Sequence, residues 1–390
     1  MKILSITYEY LPVGGGGSRV AAAINEELVR LGDEVTVLTS AMKELPTGET
    51  VNGVVIHRSA CIRRHSHYTT AAELFTTLVP AYLRGAKLIR SWRPDVIHTH
   101  FILPSGLIAW ALSRRFGVPY VITAHGSDVP GYNPDRFRLL HRLLRPVWLR
   151  ILRGAALATS PSRFLARLMY HEGCRVPIAI VANGHWPQQR FGETRRNRIL
   201  VVARMFPRKG VQYFIDAVSG MDSDWELIIA GDGPYREELE SHARRIAPKI
   251  RFVGFVNAES LRILYESSRI LVFPSVQENF PMVLLEAMDA GCAIITTNAE
   301  GCAEVVGEAA IVVPKGNPRG IRDALQRLIR DPALIQELSA RGEARAATLA
   351  WSQVVPRYRE ILISVLSTSP PRDRRAQARA TAPDRRQSPR

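Results

Sequence analysis

Short apolar runs alternate with segments of helical periodicity, and the alternation is played through twice along the chain. Residues 2–8 read as a strand, glycines 14–17 as a loop, residues 18–31 as a helix, and residues 34–39 as the next strand. A strand apolar on both faces must be covered on both, and consecutive parallel strands need a crossover, so this opening reads as a βαβ unit. Further strands are expected at 95–100, 120–124, 156–160 and 178–182, most of them separated by helical segments. The pattern restarts with a strand at 198–204, a helix at 211–218, a strand at 225–230, a helix at 236–246 and a strand at 251–256. Strands at 270–273, 293–297 and 310–313, with helices at 281–290 and 318–329, complete it. The fold class that follows is α/β, with two Rossmann-like doubly wound domains.

At 390 residues the chain exceeds the usual size of one core, which agrees with two domains. They are expected at residues 1–185 and 186–350. The link falls near residues 183–197, where Asn183-Gly184 and an Arg-rich polar stretch end the periodicity. A helix at 351–366 is expected to pack back on the first domain. The tail, 367–390, is rich in Pro and Arg without aromatics and is expected to be disordered.

Hydrophobic content of 46% with 23% charged residues is that of a soluble enzyme. The apolar stretch 101–112 contains Pro104 and falls short of the roughly 18 residues that suggest a membrane span. Residues 1–8 run straight into a strand and a glycine loop, unlike a secretory leader. Cys61, Cys174, Cys292 and Cys302 form no C-x-x-C pair, so neither a disulfide framework nor a zinc knuckle is suggested, and a cytoplasmic location is expected. The net charge of +16 favours anionic lipid, nucleic acid or phosphorylated substrates without choosing among them.

Ligands of open parallel sheets bind at the carboxyl ends of the strands. Arg204 and Lys209 share one such loop, and a planar fork plus a mobile point charge suits a diphosphate, although two solvated surface cations would look the same. Downstream, Glu278 precedes a helix begun by Pro281, and Glu286 lies about a turn and a half inside it. That helix is almost wholly apolar, so Glu286 needs hydrogen-bond donors, which a ribose diol supplies. The helix start offers the N–H groups of Met282 and Val283 to phosphate oxygens. Glu278 is placed to accept from sugar hydroxyls, or merely to favour the helix dipole. Gly16 lies in the glycine loop after the first strand and admits close approach of a ligand. The spacing is not G-x-G-x-x-G, and no acidic residue near Thr39 marks a dinucleotide ribose.

His125, in Ala124-His-Gly-Ser-Asp128, lies at another strand end and can donate to a hydroxyl near a reacting carbon. His98 and His100 share one strand face without a third ligand at metal spacing. Residues 137–153 combine apolar residues at helical spacing with five arginines. They suit either an anionic membrane surface or a helix on the sheet with a basic solvent face, with Pro146 as a candidate break.

These motifs resemble glycosyltransferase family 4, retaining enzymes of the two-Rossmann glycosyltransferase-B fold, from the first strand to about residue 360. The most specific match is the pair of acids in Glu278-Asn-Phe-Pro-Met-Val-Leu-Leu-Glu286, followed by Ala290-Gly-Cys-Ala-Ile-Ile295. Ala203-Arg204 through Lys209-Gly210, Ala230-Gly-Asp-Gly-Pro234, Phe252-Val-Gly254, Val181-Ala-Asn-Gly184 and the glycine loop support it. The resemblance implies domains facing a central cleft, Arg204 and Lys209 neutralising the donor diphosphate, and Glu286 holding the ribose. It also implies that Glu278 orients the transferred sugar, that the His125 region lines the reaction centre, and that no cofactor or divalent metal is needed. Two departures stand out: Pro281 replaces a common glycine, and Glu300-Gly-Cys-Ala-Glu304 replaces the usual Gly-Gly-x-Pro-Glu.

The expected activity is transfer of a sugar, with retention, from a nucleotide-diphosphate sugar to a hydroxyl acceptor in surface polysaccharide or glycolipid assembly. The expected acceptor is lipid-linked or a saccharide, with peripheral contact to anionic membrane and no nucleic acid partner. A sugar-nucleotide epimerase of the same fold, or a polyanion-binding protein without catalysis, are the rival readings.

Overall fold

The computed structural model describes residues 1–65, 69–132, 138–221 and 224–368. The chain divides into two compact units, one of residues 1–181 with 354–390 and the other of residues 182–353.

The first unit is built on eight strands: β1 (Lys2–Ile6), β2 (Glu34–Ser40), β3 (Gly48–Val51), β4 (Val54–Ser59), β5 (Val96–His100), β6 (Tyr120–Thr123), β7 (Leu157–Ser160) and β8 (Ile178–Ile180). Their order is β3-β4-β2-β1-β5-β6-β7-β8, and every pairing is parallel except that of β3 with β4. β3 and β4 form a hairpin that the sequence reading omits. Its turn is Asn52-Gly53, both left-handed at φ 49° and 81°, the two-residue geometry that matches strand twist. The strand order reverses between β1 and β5, the position at whose carboxyl ends ligands of such sheets bind.

The helix Trp351–Thr368 serves this unit from Val354 onward. Val355, Tyr358 and Leu362 are buried, Arg359 donates to Asp33 at 2.8 Å, and the Tyr358 ring lies 5.8 Å from that of His98. The helix Arg138–Gly154 runs on through Pro146, contrary to the break considered from sequence. Trp148, Ile151 and Leu152 are buried in the core on the following turns, and this anchorage outweighs the one hydrogen bond a proline removes. Phe137, at the start of that basic stretch, and the tail from 369 onward lie outside the described residues.

The second unit contains β9 (Arg196–Val202), β10 (Glu226–Ala230), β11 (Ile250–Gly254), β12 (Ser268–Phe273), β13 (Ala293–Thr297) and β14 (Ala310–Val313), all parallel in the order β11-β10-β9-β12-β13-β14. Counted within the unit this is 3-2-1-4-5-6, the order of nucleotide-binding sheets, with its reversal between β9 and β12. Leu271 stands opposite Leu200, so these two strands finish level with one another. Several strands stop two residues short of the sequence expectation: β9 ends at Val202, and Ala203 and Arg204 have already left the sheet. The apolar helix likewise spans Met282–Asp289, with Pro281 as its cap at φ −75° and ψ 111° and outside the first turn.

Candidate active site

The loops that leave β9 and β12 are pressed together. After β9 the chain makes a single 3-10 turn, Pro207–Lys209, ended by Gly210 at φ 70°. A Cβ on Gly210 would stand 2.0 Å from the Pro274 carbonyl oxygen, so only glycine permits this approach. The Val276 N–H donates to the Arg208 carbonyl at 2.9 Å, stitching the loops through their backbones. Gly231 and Gly233, of the Ala230-Gly-Asp-Gly-Pro234 motif, support the same loop from the other side. A Cβ at Gly231 would fall 1.9 Å from the Ala203 oxygen, and the Met205 N–H donates to the Asp232 carbonyl at 2.8 Å.

This stitching brings Lys209 and Glu278 together: the ammonium forms an ion pair with Glu278 Oε1. The Ser275 hydroxyl lies 2.8 Å from the same carboxylate oxygen, with the Arg208 and Gln277 carbonyls as its competing acceptors at 3.1 and 3.3 Å. Both ionic side chains are largely shielded, at 19% and 9% exposure, so the pair is not a solvated surface contact. Arg204 is exposed, with its guanidinium 5.1 Å from the Phe206 ring centre. A fork that stacks on an aromatic ring and stays open to solvent is a pre-oriented anion ligand.

Within Glu300-Gly-Cys-Ala-Glu304 the glycine that the family pattern keeps, Gly301, has a structural meaning. A Cβ on Gly301 would lie 2.0 Å from the Asn279 carbonyl oxygen, so this glycine lets the segment close on the residue beside Glu278. Met282 and Val283 form the first turn of their helix, where N–H groups have no carbonyl one turn earlier to meet. Glu286 is half-buried, and its Oε2 accepts from the Tyr265 hydroxyl at 3.2 Å. Tyr265 is 2% exposed, and its phenol is pushed up by burial and by the neighbouring negative charge.

In the first unit, Gly16 is the exposed first residue of the helix Gly16–Arg30, with open space where a Cβ would be. The loop glycines with a steric reason are Gly14, left-handed at φ 105° and with its added Cβ 2.7 Å from the Glu9 side chain, and Gly17, whose added Cβ would meet the Phe101 ring at 2.3 Å. The Phe101 ring lies 4.4 Å from that of His125. His125 is held by Asp128, whose carboxylate accepts from the N–H groups of His125, Gly126 and Ile102 at 2.9–3.0 Å. His125 Nε2 lies 3.2 Å from His100 Nδ1, and His98 Nε2 lies 2.8 Å from the Thr123 hydroxyl. Burial pushes His98 down to about 4 and His125 to about 3, and His100 lies well below its ordinary value for the same reason with its two neighbours adding to it. All three are neutral near pH 7, so His125 can donate or accept a hydrogen bond there without carrying charge. Among the described residues no group of three or more His, Cys, Asp or Glu side chains is arranged to hold a metal ion.

The structure thus joins Lys209 to Glu278 and sets Arg204 in the same loop as Lys209. Met282, Val283 and Glu286 share the helix that follows, while Gly16 and His125 belong to the other unit. Sequence reasoning misses Ser275 and Tyr265. Ser275 stands three residues before Glu278, a spacing known from helix caps that flags such a serine. Tyr265 obeys the rule that a buried phenol finds an acceptor, but its acceptor is 21 residues away and only the fold reveals it.

The comparisons with known proteins agree across both units. Residues 15–184 match the model of the glycosyl transferase 4-like domain, and residues 196–331 match that of glycosyl transferases group 1. An uncharacterized glycosyltransferase of Methanocaldococcus jannaschii is 28% identical over 364 residues, spanning 85% of this chain and 90% of its own. The phosphatidyl-myo-inositol mannosyltransferase of Mycobacterium leprae is 28% identical over 287 residues, spanning 70% and 74%. Among solved structures, HepE of Anabaena in complex with UDP superposes with a TM-score of 0.74 at 17% identity, covering 93% of this chain and 100% of that one. With two parallel α/β sheets, each matched by its own glycosyltransferase domain model, the chain belongs to glycosyltransferase family 4, of the glycosyltransferase-B fold.

Proposed function

We propose that this glycosyltransferase moves a sugar, with retention, from a nucleotide-diphosphate sugar to a hydroxyl of a lipid-linked or saccharide acceptor in surface polysaccharide or glycolipid assembly. The observation that carries the donor half is the contact of Lys209 with Glu278 at the strand reversal between β9 and β12. It sets a cation for the diphosphate against an acid for the sugar, at the sheet position where nucleotides bind. Arg204, Lys209 and the Met282 and Val283 N–H groups take the diphosphate, Glu286 takes the ribose diol, and Glu278 orients the sugar. Gly16 admits the donor or acceptor closely, and neutral His125 donates to a sugar hydroxyl. The UDP bound to HepE supports a nucleotide as the donor's leaving part.

In the proposed reaction the bond from the anomeric carbon to the leaving phosphate oxygen breaks. The acceptor oxygen bonds to that carbon on the same face, and its proton passes to the departing phosphate. Glu278 is no nucleophile in this scheme, and the positive side chains with the helix start stabilise the diphosphate without a divalent metal. Undiminished turnover in excess EDTA is the expected check.

The acceptor is proposed to be met at an anionic membrane on the cytoplasmic side. Exposed Arg142, Arg150 and Arg153 along the helix Arg138–Gly154 support this, as does a relative named for phosphatidyl-myo-inositol. Among the described residues no helix is long and apolar enough to cross a membrane. Sedimentation with vesicles containing phosphatidylglycerol, but not with neutral ones, is expected.

The donor reading is tested by thermal shift and turnover with a panel of UDP-, GDP- and ADP-sugars, for the wild type and for Glu286→Ala and Lys209→Ala. Loss of stabilisation by the preferred donor in both variants is expected. Unchanged turnover in both, or isomerisation of donor without acceptor, overturns the reading.

A further inference from the structure

We infer that Tyr265 is a positioning residue for nucleotide recognition, its hydroxyl fixing the orientation in which Glu286 meets the ribose diol. The inference rests on the proposed placement of the ribose at Glu286. Tyr265 lies on the helix Ala258–Ser267 and Glu286 on the helix Met282–Asp289, and their side chains join through Tyr265 Oη and Glu286 Oε2 at 3.2 Å. One turn away along both helices the pairing repeats: Arg262 forms an ion pair with Asp289 at 2.5 Å. Arg262 also pairs with Glu266 at 2.6 Å, and its side chain is 3% exposed. The two helices are therefore laced at two levels, one by an ion pair and one by a phenol donating to a carboxylate.

The two levels do different things. Arg262 and Asp289 hold the helices together, whereas the phenol reaches the carboxylate itself. A glutamate terminus turns readily about its last bond, which has a broad twofold profile. To accept from two vicinal hydroxyls at once, the carboxylate plane must lie near the plane of the diol. A donor fixed on one oxygen selects that plane and still leaves acceptor capacity, since a carboxylate offers about four lone-pair sites. The donor must also stay a donor. Burial and the adjacent charge both raise the Tyr265 phenol, so it keeps its proton throughout the neutral range.

The test uses the full chain and the free diphosphates UDP, GDP and ADP, carrying forward whichever binds together with its 2′-deoxy form. Wild type is expected to prefer the ribonucleotide. Tyr265→Phe, which removes one oxygen from a buried ring, is expected to lose roughly five- to tenfold in ribonucleotide affinity, about the worth of one ordinary hydrogen bond, with little change for the deoxy form. Asp289→Asn, which loosens the helices at the other level, is expected to lower the melting temperature while keeping the ribo-to-deoxy ratio. Equal losses for both nucleotides in Tyr265→Phe, or a ratio that Asp289→Asn lowers as much, overturn the positioning role. Should Tyr265→Phe fold poorly, Tyr265→Met, which also removes the hydroxyl from between the two helices, takes its place and is read by the same ratio, whereas a ratio left unchanged by Glu286→Gln overturns the placement of the diol at Glu286 and not the role of Tyr265. A wild type with no ribose preference likewise overturns that placement, a different failure that the wild-type data alone reveal.

Discussion

Lys209 and Glu278, 69 residues apart in the chain, form an ion pair between loops that leave neighbouring strands of one sheet. In the proposed donor complex Lys209 turns to the diphosphate and Glu278 to the sugar, so the pair must part when donor binds. Glu278→Gln keeps the shape and removes the competitor for Lys209. It is expected to tighten binding of the free nucleoside diphosphate by about three- to tenfold while lowering turnover at least tenfold. Calorimetry with the diphosphate, beside initial rates, checks both signs; weaker diphosphate binding would show that the pair supports the site instead of competing with it.

Gly301 should not tolerate a side chain. Its Cβ would meet the Asn279 carbonyl oxygen at 2.0 Å, so Gly301→Ala pushes on the residue adjoining Glu278. A loss of about 1–3 kcal/mol in stability is expected from such overpacking, with a fall in turnover larger than the fall in nucleotide affinity. Chemical denaturation and separate measurement of kcat and KM test this.

The three histidines of the first unit make its stability acid-sensitive. Their folded values are depressed, to about 4 for His98, about 3 for His125 and well down for His100. Below the ordinary value near 6.5 the unfolded chain takes up these protons and the folded chain does not, so stability falls as pH falls from about 6.5 towards 4. The limiting slope for three groups is roughly 4 kcal/mol per pH unit. Glu9 and Asp128, whose carboxyls burial raises, act in the opposite sense and reduce the slope. A melting temperature several degrees lower at pH 5.5 than at pH 7.5 is expected, and His98→Gln should flatten the difference.

Leu362 is 1% exposed on the helix Trp351–Thr368. Leu362→Ala is expected to cost about 2–5 kcal/mol, as large-to-small changes in a packed interior do. Since Leu362 belongs to the first unit, the loss should fall on that unit's transition alone. Hydrogen exchange resolved by peptide would show faster exchange in residues 1–181 and an unchanged pattern in 182–353.

Much of this architecture is legible in the amino-acid order itself, for reasons specific to each element. Strands Ala293–Thr297 and Ala310–Val313 and helices Val211–Val218 and Arg236–Ile246 have the expected bounds, because apolar runs and amphipathic spacing report burial directly. The hairpin of β3 and β4 escapes that pattern although Asn52-Gly53 is a strong turn signal, since β3 is mostly exposed and lacks the apolar run that marks its neighbours. Arg204 reads as the end of a strand and lies in a loop, because its apolar predecessors carry the strand pattern up to it. Pairing lies beyond reach: nothing local in Tyr265 names Glu286 as its acceptor, and nothing in Gly301 names Asn279. The candidate residues are identifiable by type and position, and their partners only by fold.

The helix Trp351–Thr368 completes a unit whose other residues end at Val181. On a ribosome, where synthesis runs from the amino end, the segment 182–353 is contiguous and can be finished while its predecessor still lacks Val355, Tyr358 and Leu362. The domain made first is thus the one matured last, its partly clothed sheet waiting through some 170 residues of further translation before the closing element emerges. A nascent chain of this architecture has reason to engage a holding chaperone early, and a gene fragment encoding residues 1–181 alone is a poor choice for expression, whereas one encoding 182–353 is a sound one.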